Sequence, residues 1–218
     1  MNYVIIDSGN SRSFPAAHPL LDGGSADGEV VIVLGTGQTA ALAKMAGRDT
    51  KAAILVELGT ESLGVYAGES RGTEGSNLLG FARFRLGDGE PSNLIELVRQ
   101  PQTPQAAIDA ARQVLEGAGF KVAVCFDFQG RIIDRLVRPY YNAALRRLDE
   151  GLASADDMDL TLRLGLGYPE GPIALLERTG LEHHFDVTQD LFDAYGETPY
   201  APARRARVAK ARAQNKGG

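Results

Sequence analysis

The sequence predicts an α/β domain built on a parallel sheet, followed by an all-α domain. Three observations carry this. Val30 to Leu34 is an unbroken β-branched and aliphatic run, and Ala53 to Val56 is a second, with a glycine turn and a helical stretch between them. From Gly130 onward, apolar residues recur at 132, 133, 136, 137, 140, 141, 144, 145 and 148, which is helical spacing. The 26 glycines show no three-residue period and punctuate the chain without forming a linker. Hydrophobic residues make up 44% of the chain, enough for a sizeable core, and a net charge of -5 excludes a basic nucleic-acid binder.

In chain order, Tyr3 to Ile6 reads as a short strand, and residues 8–28 are rich in turn formers. The strand at Val30, the turn Gly35-Thr36-Gly37, a helix from Gln38 to Met45 and the strand ending at Glu57 form a βαβ unit. Residues 59–77 read as loop, with one short strand at Gly64–Ala67. Strands follow at Leu78–Phe84 and Leu94–Val98. Thr103 and Pro104 start a helix that Gly117 and Gly119 end, and Lys121–Phe126 is the last strand. The domains are therefore 1–126 and 127–218.

In the second domain, a helix kinked at Pro139 runs to Gly151 and turns Arg131, Arg135, Arg138, Arg146 and Arg147 toward solvent. Ser154 caps a second helix, Pro172 opens a third, and a fourth spans about Glu182 to Tyr195. The end of the chain carries six basic residues from Arg204 to Lys216 and no acid, which reads as a solvated terminal helix.

Gly35-Thr36-Gly37-Gln38-Thr39-Ala40 has the G-x-G-x-x-A form of a dinucleotide-binding turn. In that role Gly35 makes the tight turn and Gly37 admits a pyrophosphate. Ala40 lets the helix meet the strand, and Glu57 ends the next strand where an acid takes a ribose hydroxyl. A nucleotide site and a plain strand-to-helix turn fit the pattern about equally. His183 and His184 are neighbours in a helix and point apart, so no metal is expected. Cys125 lies in an apolar strand and reads as a buried thiol. One cysteine, no apolar stretch of membrane length and no export signal lead to the expectation of a cytoplasmic protein with no membrane partner.

Gly130-Arg131-Ile132-Ile133-Asp134-Arg135-Leu136, Glu150-Gly151-Leu152-Ala153-Ser154 with Asp156-Asp157-Met158-Asp159, and Leu164-Gly165-Leu166-Gly167-Tyr168-Pro169-Glu170-Gly171-Pro172 follow in a recognisable order and spacing. They resemble the C-terminal domain of 3-hydroxyacyl-CoA dehydrogenases, whose members read G-F-I-V-N-R-L, E-G-x-A-S-x-x-D-I-D and L-G-x-G-[FY]-P-x-G-P. More faintly, Gly80-Phe81-Ala82-Arg83-Phe84 resembles the family's G-L-H-F-F. The stretch Tyr195-Gly196-Glu197-Thr198-Pro199-Tyr200-Ala201-Pro202 looks most like the last part of the long, duplicated dehydrogenases of phenylacetate catabolism, and the chain like their shortened second copy.

The resemblance implies a truncated Rossmann-like parallel sheet followed by the family's helical domain. It also implies NAD-dependent oxidation of a 3-hydroxyacyl-CoA to the 3-ketoacyl-CoA, a step of fatty-acid β-oxidation, with an acyl-CoA ligand and homodimers formed through the helices. By the same resemblance Glu96 matches the glutamate that orients the catalytic histidine. Asp134 matches an asparagine near the substrate carbonyl, and Ala82 stands where the histidine belongs. Alanine accepts no proton, so weak or no activity is expected of this chain alone. The alternative is a non-catalytic acyl-CoA-binding or dimerisation partner of a full-length dehydrogenase. The interval 58–79 is too short for the strand–helix units that complete the family's nicotinamide pocket, and His18 is the candidate for a replacement base.

Overall fold

The computed structural model describes residues 1–216; Gly217 and Gly218, the end of the predicted helical domain, lie outside the described residues. The chain forms two compact units, the first of residues 1–85 and 91–131, the second of residues 86–90 and those from Ile132 on. The loop 86–90 thus joins the helical unit although its flanks belong to the sheet, and the seam falls at 131 where the sequence suggested 126.

The first unit holds a six-stranded sheet in simple sequence order: β1 Tyr3–Asp7, β2 Val30–Leu34, β3 Ala53–Glu57, β4 Leu78–Arg83, β5 Leu94–Arg99 and β6 Lys121–Phe126. The first four are parallel, β5 runs antiparallel to β4, and β6 is parallel to β5. Every residue of β2 and β3 is buried, as their unbroken apolar runs require. Alternate side chains divide between two faces. Val30, Ile32, Leu55 and Phe81 pack with Phe14, Leu20 and the helix α4 Gln105–Gly117; Leu20 lies on the short helix α1 Pro19–Asp22. Val31, Val33, Ile54 and Val98 pack on the other face with Leu42 of α2 Gln38–Lys44 and with Leu63. The chain therefore leaves β1 toward the α4 face and β2 toward the α2 face. Their connections part at the C-terminal ends of these strands, where α/β sheets bind ligands.

The segment expected as a strand, Gly64–Ala67, is a single helical turn, α3. The Asp127 carboxylate, just after β6, accepts from the amides of Leu63 at 2.6 Å and Gly64 at 2.7 Å, and this capping fixes the turn. Burial pushes the Asp127 carboxyl up despite those bonds. β6 lies at the sheet edge, with Val124 and Phe126 exposed.

The second unit contains α5 Ile133–Asp149, α6 Ala155–Leu166, α7 Pro172–Thr179, α8 Leu181–Tyr195, a 3-10 turn at Thr198–Tyr200 and α9 Arg204–Lys216. The buried stripe of α5 is polar over its first three turns and apolar at Ala144 and Leu145: Asp134, Arg138 and Asn142, one turn apart, are 7%, 1% and 0% exposed, while Leu136 is 71% exposed. The sequence placed Arg138 in solvent. It is buried because its protons are taken, Nε by Asp134 Oδ1 at 2.7 Å and Nη1 by His184 Nδ1 at 3.1 Å. An arginine can only donate, so Nδ1 is the acceptor and the proton of His184 sits on Nε2, which donates to Asn142 Oδ1 at 3.0 Å. Asn142 Nδ2 in turn donates to the carbonyls of Pro199 and Tyr200. The chain of bonds joins α5, α8 and the segment before α9. The basic end is an anchored helix: Arg204 and Arg205 pair with Asp149, and Lys210 with Asp186.

Burial, reinforced by the charge of Arg138, pushes His184 down to about 3. Its folded pKa lies below the unfolded value of 6.5, so the unfolded chain takes the proton first. Stability should be intact above pH 6.5 and decline as pH falls toward 3, by at most about 1.4 kcal/mol per pH unit. Urea midpoints between pH 6.5 and 5 should show this decline, and His184→Gln should make it shallower.

Candidate functional site

A cleft of about 430 Å³ opens at the C-terminal ends of β2 and β3, lined by Asn10, Arg12, Thr36, Gln38, Glu57 and Tyr66 among others. Of the predicted nucleotide residues, Gly35 and Glu57 line it, and Gly37 and Ala40 do not. Gly35 takes the tight turn, with φ +87°, and Gly37 starts α2. Glu57, 3% exposed, does not face the cleft as a free acceptor. Its Oε2 takes the Gly35 amide at 2.7 Å; its Oε1 takes the Ser13 amide at 2.6 Å and the Ser11 hydroxyl at 3.1 Å. Ala40 is exposed, and Gln38 is the residue of that turn packed inward, donating Nε2 to the Glu57 carbonyl at 3.0 Å. Tyr66 donates to Glu61 at 3.0 Å, and burial, then Glu61, pushes its phenol up to about 12. With the first amide of the turn taken by a buried carboxylate, the turn does not fit a dinucleotide's pyrophosphate.

Ala82 and Glu96 stand directly opposite one another across β4 and β5. Their neighbours Phe81 and Leu97 face α4, so by alternation Ala82 and Glu96 face the α2 side. Glu96 is 2% exposed and ion-paired with Arg131, Nε to Oε2, at 3.4 Å. Arg131, 7% exposed, donates Nη2 to the Gly59 carbonyl at 2.7 Å, while its Nε and Nη1 have no hydrogen-bond partner. It holds a left-handed backbone, φ +52°, that is uncommon outside glycine. Reading the sequence for chemistry passed over Arg131. The signal was an arginine directly after Gly130, where the resembling motif carries phenylalanine. His18 lies on the opposite face, stacked on Phe120 at 4.9 Å and capping α1 through Nδ1. It cannot reach Glu96 through the sheet. Cys125 is half-buried, its thiol pushed up to about 11 by burial and then by Glu96.

In the second unit Asp134 is taken up by Arg138. His183 points to Asp88 at the surface, 3.2 Å away, and His184 into the core. Among the described residues, no group of three His, Cys, Asp or Glu side chains could hold a metal ion.

Residues 130–218 match the model of the 3-hydroxyacyl-CoA dehydrogenase C-terminal domain. The helical part of this chain is therefore similar to the C-terminal domain of 3-hydroxyacyl-CoA dehydrogenases. The 3-hydroxybutyryl-CoA dehydrogenase of Bradyrhizobium diazoefficiens is 31% identical over 109 residues, 50% of this chain and 37% of that protein. The human mitochondrial hydroxyacyl-coenzyme A dehydrogenase is 35% identical over 104 residues, 48% of this chain and 32% of that one. The matched part thus spans about a third of these relatives' own length. The solved (S)-3-hydroxybutyryl-CoA dehydrogenase of Ralstonia eutropha shares the fold, with a TM-score of 0.69 at 22% identity over 87% of this chain and 70% of that one.

The motifs in this helical part that carry the similarity are largely helix caps. Ser154 Oγ accepts the Asp157 amide at 3.1 Å and starts α6. The Asp159 carboxylate accepts the amides of Ile173 and Ala174 and starts α7. A Cβ on Gly171 would stand 2.1 Å from Asp159, so only glycine fits there. What the helical domain shares with its relatives is therefore first of all its shape.

Glu96→Gln should leave the Arg131 charge buried and unpaired, and should destabilise the protein by about 3–5 kcal/mol in urea unfolding. Replacing both partners by Leu and Met should recover most of that loss.

Proposed function

We propose that this chain is a member of the 3-hydroxyacyl-CoA dehydrogenase family that does not catalyse hydride transfer by itself. Dehydrogenation of a 3-hydroxyacyl-CoA requires a group that takes the hydroxyl proton as hydride leaves for NAD. One observation carries the reading: the residue facing Glu96 is Ala82, and the Glu96 carboxylate is already paired with a buried arginine. Asp134 is likewise bound, by Arg138. A carboxylate held against a guanidinium is a poor proton acceptor.

Purified protein given 3-hydroxybutyryl-CoA and NAD should form no NADH above blank from pH 6 to 9. Ala82→His should not restore activity, because Arg131 keeps the Glu96 carboxylate. Turnover by the wild-type chain alone would overturn the reading.

A specific observation favours the companion role of a dimerisation partner. On α6, Leu160 and Leu164 lie one turn apart and are 48% and 77% exposed, with Leu166 at 63% close by. Exposed leucines grouped on one helix support association through the helical unit, with a second copy or with a complete dehydrogenase. Sedimentation equilibrium should report a dimer, and Leu160→Glu with Leu164→Glu should give a folded monomer.

A further inference from the structure

We infer that the glycine turn after β2 is shaped to receive the protein's own chain in place of a dinucleotide. This goes beyond the proposed loss of catalysis, which rests on Ala82, Glu96 and Arg131; the residues here are different. A pyrophosphate site at such a turn needs room against the glycines and backbone amides left free to donate. The protein has filled that room and taken the amides of Gly35 and Thr36.

The room is filled by the turn that follows β1. A Cβ on Gly35 would stand 2.0 Å from the Gly9 carbonyl oxygen, and one on Gly37 would stand 2.8 Å from the Ser8 Cβ. Both glycines are therefore needed for a close approach, but the group approaching is residues 8–9. That turn is itself firmly specified. Asp7 Oδ1 accepts the Gly9 amide at 2.8 Å, Ser8 donates to the Leu34 carbonyl at 2.9 Å, and Gly9 and Asn10 take the left-handed conformations that reverse the chain.

Two of the donors, the amides of Gly35 and Thr36, are also taken. The Thr36 amide donates to the Gly9 carbonyl at 3.0 Å, and the Gly35 amide to Glu57 at 2.7 Å. Glu57 is the anion that this turn holds. Its second oxygen takes the Ser13 amide and the Ser11 hydroxyl, so one carboxylate latches the ends of β2 and β3 to the segment leaving β1. A diphosphate arriving here would have to displace the latch while lying beside a buried negative charge. The motif is met in sequence, and its ligand is internal.

The test is an NADH titration of ¹⁵N-labelled wild-type protein to about 1 mM, where a weak site would still be seen. The amide signals of Gly35, Thr36 and Gly37 should not move, and shifts confined to other residues would uphold the inference. Saturable shifts at these three would overturn it, whatever the turnover assay shows. In Glu57→Gln, hydrogen exchange at Gly35 and Ser13 should speed up by about tenfold or more while β5 stays protected. Unchanged exchange at both amides would overturn the latch. Should Glu57→Gln not fold, the wild-type titration still decides.

Discussion

The buried carboxylate of Glu57 accepts from an amide at the end of β2 and from an amide and a hydroxyl in the segment leaving β1. Three consecutive pieces of the sheet unit converge on that single anion. Without it, their turns would present unsatisfied donors at the edge of an apolar sheet, where each costs about 1–3 kcal/mol. The course of the chain past β1 and the tightness of the turn at Gly35 both depend on where this charge sits. A residue type associated with ligand binding is here a fastener between loops.

The same substitution of structure for chemistry recurs. Each carboxylate that the family resemblance marked for a role in the reaction is held by an arginine in its own unit, Glu96 by Arg131 and Asp134 by Arg138. Buried charges persist only when paired, so these pairs fix both carboxylates to arginines. The two arginines differ in how well they are satisfied. Arg138 belongs to a run of hydrogen bonds that closes on Asn142, whereas Arg131 keeps a strained backbone and two nitrogens without hydrogen-bond partners.

Much of the fold is legible in the residues. The runs at 30–34 and 53–57 can be satisfied only by strands buried on both faces, and the caps at Ser154 and Pro172 locate α6 and α7. Other features are not, and for physical reasons. Gly64–Ala67 has no helical signal of its own, because the group that caps it, Asp127, is distant in sequence. Arg138 follows the rule that arginines face water until two side chains, Asp134 on its own helix and His184 on α8, accommodate it. At the candidate site, residue types and spacing located the turn correctly in the fold. They could not say that Glu57 turns inward, because that depends on Ser11 and Ser13 arriving from the preceding crossover.

The strands lie side by side in the order in which they occur along the chain. Each new strand adds to an edge that already exists, and none waits to be inserted between two earlier ones. A ribosome releasing this polypeptide could let the sheet grow by accretion, with contacts that remain short in sequence for a largely parallel sheet. The exception is the loop 86–90. It is synthesised between β4 and β5, but its Asp88 amide bonds the Thr179 carbonyl at the end of α7. That loop must stay uncommitted until some ninety further residues have emerged, so its docking reports, late in synthesis, that the helical unit has closed.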